Sequence, residues 1–175
     1  MVERPGDGEF APFFGGYVSL VPEADVLAVL EGQAAVVRQL LATVPPRLET
    51  YRYGAGKWSV RQVVGHMADA ERVFGYRAFC IGRGEQAPLP GFDEQQYVAE
   101  SGFDRQALAE LVNEFTNVRE ANLAALRRFD DRAWERIGSA NGTPVSARAL
   151  AFIMAGHVRH HCGVLSSRYG IQAGV

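Results

Sequence analysis

The chain has 175 residues and is 47% hydrophobic, which suits one domain with a sizeable core and excludes a disordered chain. Its 18 Lys and Arg against 20 Asp and Glu leave a net charge of −2, so no basic surface is offered to nucleic acid. No apolar run approaches the roughly 18 residues that span a bilayer, and two cysteines make no disulfide framework. The opening stretch, MVERPGDGEFAPFFGGY, is acidic and rich in Gly and Pro, unlike a signal peptide, so cytoplasmic residence is expected. Residues 1–22 read as an N-terminal extension packing on a bundle, within a single domain spanning 1–175.

From Glu23 to Val44, apolar residues recur at Leu27, Leu30, Ala34, Val37, Leu41 and Val44, the steps of an amphipathic helix. Pro22 precedes it and Pro45-Pro46 ends it. Ser59 is the natural N-cap of a second helix, with Val60, Val63, Met67, Ala70, Phe74, Ala78 and Ile81 inward and a stop near Gly82. A Pro- and Gly-rich connection of about twenty residues follows, a length that is often functional inside a compact domain. Asp104 is placed to cap a third helix with Leu108, Leu111, Phe115, Val118, Asn122 and Ala125 inward. The stretch DDRAWERIGSANGTPVS reads as a short helical turn and then a tight turn at Asn141-Gly142. Ser146 caps a last helix that runs to about Tyr169. No segment shows sustained strand alternation. These elements predict an all-α four-helix bundle with a long crossover between the second and third helices.

Three of the four histidines fall within MAGHVRHHCG, at His157, His160 and His161. Extending the apolar rhythm of Ala147, Leu150, Ala151 and Met154 puts His157 and His161 on the inner face. Side chains four apart on a helix have Cβ atoms about 5–6 Å from one another, close enough to share one ion. His160 is turned aside from that face. On the second helix, His66 lies on the inner edge of the buried stripe, three residues after Val63. Three neutral imidazoles with one open position form the pattern of a catalytic zinc site, and imidazole also suits nickel or iron. A histidine on an apolar face is more often a hydrogen-bonded core residue, so spacing alone leaves both readings open. Any metal held this way is expected to leave below about pH 6, where imidazoles take up protons.

Four segments together carry a resemblance. They are YGAGKWSVRQVVGHMADAERVFGYRA (Tyr53 to Ala78), LPGFDEQQYV (Leu89 to Val98), GSANGTPVSARA (Gly138 to Ala149) and AGHVRHH (Ala155 to His161). In this order and spacing the chain resembles the DinB/YfiT-like family of metal-binding four-helix proteins. The resemblance implies a divalent metal on His66, His157 and His161, with zinc or nickel favoured over manganese or iron. It also implies a small-molecule substrate and a homodimer. Some relatives join a low-molecular-weight thiol such as bacillithiol, mycothiol or glutathione to an electrophile, and some isomerise maleylpyruvate with a thiol's help. Others are taken as hydrolases or as damage-inducible proteins.

On chemical grounds a thiol S-transferase is the expected activity. A three-histidine ion keeps its positive charge and lowers the pKa of a bound thiol. Hydrolysis by activated water is the alternative, and a non-enzymatic metal-binding stress protein is a third. Hydrolysis usually employs a carboxylate base, and neither Asp69 nor Glu71 has a phase that clearly aims inward. Two residues are candidates for substrate binding. Arg77 follows His66 by eleven residues on nearly the same line of the helix, a rise of about 16 Å, and can grip a carboxylate bidentately. An ion pair with Asp93 or Glu94 is its alternative role. Asn122, on the inward stripe of the third helix, can contact a ligand or simply bond a neighbour. Cys80 and Cys162 read as small buried hydrophobes and Trp58 as a packing anchor. The PLPGFDE loop either covers the site or bridges two helix ends.

Overall fold

The computed structural model describes residues 2–172; Met1 and residues 173–175 lie outside the described residues. In chain order the helices are α1 (Gly15–Ser19), α2 (Val26–Leu41), α3 (Val60–Gly82), α4 (Glu94–Ser101), α5 (Leu108–Leu126), α6 (Asp131–Glu135) and α7 (Ala147–Tyr169). Strands β1 (Ile137–Ala140) and β2 (Thr143–Ser146) sit between α6 and α7. The frame is the expected four-helix bundle of α2, α3, α5 and α7. α3 packs on both α5 and α7, and α2 packs on the same two, so α2 and α3 occupy opposite corners.

Local chemistry fixes the helix starts. The Asp25 side chain accepts from the Ala28 N–H at the head of α2. Ser59 and Gln62 form a reciprocal capping box on α3. Ser146 accepts from the Ala149 N–H at the head of α7. Asp104, expected to cap α5, does not; Ala107 holds the N-cap position. Asp104 lies instead in the one-turn helix Phe103–Arg105, where its carboxylate accepts from Ser59 Oγ and Arg52.

Two further differences lie in the connections. The stretch between α3 and α5 contains α4, capped by Asp93 through the Gln95 and Gln96 N–H groups. The turn at Asn141-Gly142 joins a β-hairpin, with Ile137 opposite Ser146 and Ala140 opposite Thr143. Both turn residues have positive φ, 52° and 73°, as the two-residue hairpin turn requires. Strands of four residues interrupted by Gly138 and Pro144 are too short to display alternation. Leu89 bridges to Ala140 and so fastens the long connection to the hairpin.

The apolar core falls into two clusters along the bundle. One includes Leu30, Phe74, Leu123 and Leu150; the other includes Val37, Met67, Phe115 and Leu165. Between them every bundle helix contributes a buried polar side chain: Gln33 from α2, Glu71 from α3, Arg119 from α5 and His157 from α7. The inward stripe of α5 therefore continues from Phe115 through Arg119, Leu123 and Leu126. It does not run through Val118, Asn122 and Ala125, which are only half-buried. The observed stripe departs from the expected one after Phe115, where the buried Arg119 takes the inward position next to Val118.

Candidate metal centre

Because α3 and α7 are neighbours, His66 meets the His157/His161 pair across their interface. All three are buried, and the three residues can present ligand atoms within 4.8 Å of one another. His157 Nε2 is the hub, 3.0 Å from His66 Nε2 and 3.0 Å from His161 Nε2. A tetrahedral ion with nitrogens at about 2.1 Å holds them about 3.4 Å apart, so small ring movements fit the cluster to an ion. His161 Nδ1 is buried with no hydrogen-bond partner among the described residues. Three imidazole nitrogens turned on one point, in a site with so few alternative partners, match the donor set of a divalent cation. The cluster is capable of coordinating such an ion.

Aromatic rings hold the imidazoles in place. Trp58 packs against His66 at 4.7 Å between centroids. Tyr17 and Phe74 meet His157 edge to face at 5.4 and 5.7 Å. Trp58 is itself pinned, its Nε1 donating to Gln95 and its carbonyl accepting from the Tyr169 hydroxyl. His160 is exposed and packs beside Tyr17. It lies outside the cluster, as its phase on the helix predicts.

Burial keeps the three histidines neutral. The His66 pKa is lowered to about 4, chiefly by desolvation and further by the charge of His160. Those of His157 and His161 are driven well below the usual value, again chiefly by desolvation and then by neighbouring histidines. In an unfolded chain His66 would titrate near 6.5. Below that pH the unfolded state binds more protons than the folded one, so acid destabilises the fold. Chelator-treated protein is therefore expected to lose thermal stability steadily between pH 6.5 and about 4. His66 alone accounts for about 3 kcal/mol across that window. Melting curves at stepped pH check this, and a flat profile would contradict it.

The cluster opens onto a cavity of about 320 Å³ whose lining includes His66 and His157. Arg77 and Glu94 lie on the same cavity. Arg77 is 5% exposed and donates to the Pro90 carbonyl at 2.7 Å, with its guanidinium 5.9 Å from the Phe92 ring centroid. Burial lowers its pKa. Neither Asp93 nor Glu94 pairs with it, so the loop is pinned through a carbonyl and not through an ion pair. Phe92 and Glu94 put that loop over the site. Asn122 is elsewhere: its Nδ2 donates to the Glu71 carbonyl and to Glu71 Oε1, both at 2.9 Å. It reaches them across Gly75, where a Cβ would overlap the amide. Asn122 is thus a buttress of the polar layer, outside the cavity. Asp69 faces Arg72 at 3.6 Å. Cys162 is half-buried, and desolvation pushes its thiol up to about 11.

Sequence reasoning named Glu94 only as a partner for Arg77 in a loop that could cover the site, and missed Tyr17 and the pair Glu71–Arg119. For Arg119 a signal was present: it stands four residues after Phe115 and four before Leu123, on the apolar stripe. Tyr17 lies in a segment without periodicity and left no such trace.

A four-helix bundle with three imidazoles gathered inside it defines a class of bundle proteins built to hold a divalent ion. Within that class the chain belongs to the DinB superfamily, whose family model matches residues 29–165. Its fold is similar to that of YfiT from Bacillus subtilis, a probable metal-dependent hydrolase with an unusual four-helix bundle topology. The TM-score is 0.75 at 19% identity, over 97% of this chain and 95% of that one. No curated protein sequence matches the chain. Among the described residues, no helix is long and apolar enough to cross a membrane.

Proposed function

We propose that the protein is a metal-dependent hydrolase of a small anionic substrate, with His66, His157 and His161 as the ligands of a zinc or nickel ion. The observation that carries this reading is the histidine cluster at the wall of a cavity that also holds one buried cation and one carboxylate. The hydrolase description of YfiT, a protein of similar fold, supports it. An ion in such a site supplies activated water at neutral pH and polarises a carbonyl. Arg77 grips the substrate's carboxylate and sets its distance from the histidines. Glu94, at the first turn of α4, takes the proton from the attacking water and returns it to the leaving group. Phe92 and the loop around it restrict solvent at the cavity mouth.

Glu94→Gln is expected to lower kcat about 100-fold while KM and metal content stay near the parent's. An unchanged kcat would remove Glu94 from the mechanism. The thiol S-transferase reading keeps one specific support, because Arg77 is equally suited to a carboxylate-bearing thiol. Metal-loaded and chelated protein should be compared on ester and amide panels without thiol, and on electrophiles with thiols added. Metal-dependent turnover without thiol is the expected result. Turnover only when thiol is present would replace hydrolysis by thiol transfer.

A further inference from the structure

We infer that the cavity selects a carboxylate whose body is an aromatic ring, with the N-terminal arm supplying part of the wall that reads the ring. This substrate class rests on the small-molecule site proposed above and goes beyond it by naming the substrate's body and the element that recognises it.

The cavity wall carries five aromatic side chains, Phe13, Phe14, Tyr17, Phe74 and Phe92. Phe74 sits at its centre and is met edge to face by Phe14 at 6.0 Å, Phe92 at 6.5 Å and His157 at 5.7 Å. Phe13 stands beside Phe14 at 4.1 Å, lines the same cavity, and is 63% exposed. Phe13 thus leaves an open aromatic surface where the cavity meets solvent. Rings arranged in this way accept a further ring by stacking or edge contact.

Charge decides which aromatic compounds fit. An aromatic wall also suits organic cations. Arg77 in the same cavity repels them from its buried side, where its field is least screened, whereas the cavity's carboxylate, Glu94, is exposed to solvent. Its guanidinium is buried, and among the described residues it has a carbonyl acceptor but no carboxylate. An incoming carboxylate supplies the bidentate partner that a buried guanidinium lacks. The volume of about 320 Å³ is at the small end for ligand sites, which favours one ring on a short acid over a bulky conjugate.

The arm is a fixed part of this wall. Phe13, Phe14 and Tyr17 all precede residues 29–165, the stretch that contains the three histidines. Arg4 ties the arm to itself through the Val18 and Val21 carbonyls. Arg148 holds Glu9 bidentately, and Arg159 holds Glu23 and the Leu20 carbonyl. At Gly156, one residue before His157, a Cβ would overlap the Tyr17 carbonyl. The absence of a side chain there lets α1 lie directly on α7.

The test is isothermal titration of zinc-loaded full-length protein with three probes: hydrocinnamate, hexanoate and hydrocinnamyl alcohol. Hydrocinnamate should bind about tenfold more tightly than either of the others. Phe14→Ala should bring hydrocinnamate down to the level of hexanoate and leave hexanoate within about twofold of the parent. Phe14→Leu, which keeps the arm's bulk but not its ring, should do the same if alanine loosens the arm. Arg77→Met should weaken both acids about tenfold and leave the alcohol unaffected, at unchanged zinc content. Equal binding of the two acids, parallel losses in Phe14→Leu, or no binding of any probe would overturn the inference. The hydrolase reading fails separately: binding of hydrocinnamate with no turnover of esters would remove hydrolysis and leave the substrate class standing.

Discussion

His157→Ala is expected to bind no divalent metal and to show no metal-dependent turnover. His157 Nε2 alone lies within 3.0 Å of both other ring nitrogens. Removing it leaves His66 and His161 without the ligand that joins them, and two imidazoles do not make the three-ligand set of a catalytic ion. The deletion also opens a void beside Phe74 and Tyr17, whose edges rest on the His157 ring. His66→Ala and His161→Ala should strip the metal as well. His160→Ala should retain it, because that ring is exposed and lies outside the cluster. Elemental analysis of tag-free protein gives the readout, with about one ion per chain expected for the parent and for His160→Ala. Full metal content in His157→Ala, or equal losses from His160→Ala and His161→Ala, would overturn the assignment.

The contrast between these two histidines shows what a sequence can carry. His157 and His161 share a face because helical periodicity is local, and their phase follows from Leu150 and Met154 on the same helix. His66 is legible for the same reason, three residues from Val63. The capping serines Ser59 and Ser146 mark their helices by an equally local hydrogen bond. Contacts between distant segments leave weaker traces. Glu71 and Arg119 are separated by 48 residues, and neither can be assigned inward without the other. A charged residue read alone is placed outward, since an unpaired charge in a core is costly. A stripe traced without Arg119 runs through Val118, Asn122 and Ala125 instead of Leu123 and Leu126, and Asn122 takes the second of its two expected roles, bonding a neighbour. Glu94 and the aromatic arm reach the cavity only through the way their loops are tied down, by the Pro90 carbonyl and by the clamps from Arg148 and Arg159. Nothing periodic announces such ties.

The buried pair itself sets the other large effect. Arg119 is 0% exposed and Glu71 2%. The guanidinium donates bidentately to the Glu71 carboxylate at 2.8 and 2.7 Å, and its third nitrogen reaches the Leu30 carbonyl and Gln33 Oε1. Gln33 passes the network to α7 by donating to the Ala155 carbonyl at 2.7 Å, and Asn122 completes the carboxylate. All four bundle helices are joined through one buried ion pair. Arg119→Met leaves the Glu71 carboxyl in the core without its ion-pair partner, at a cost of about 3–5 kcal/mol. Against a typical total stability of about 5–15 kcal/mol, that is enough to lower Tm by about 10 °C or to unfold the protein. Glu71→Met should be comparably damaging, because it strands the guanidinium. The double variant Glu71→Met/Arg119→Met should be more stable than either single one, since removing both partners leaves no uncompensated charge. Urea denaturation of the three variants measures the coupling directly. Additive losses in the double variant would mean that the pair is not coupled and that each side chain acts through its own packing. Recovery would show that the cost lies in the broken pair, and that an apolar layer can fill the same level of the bundle beneath the histidines.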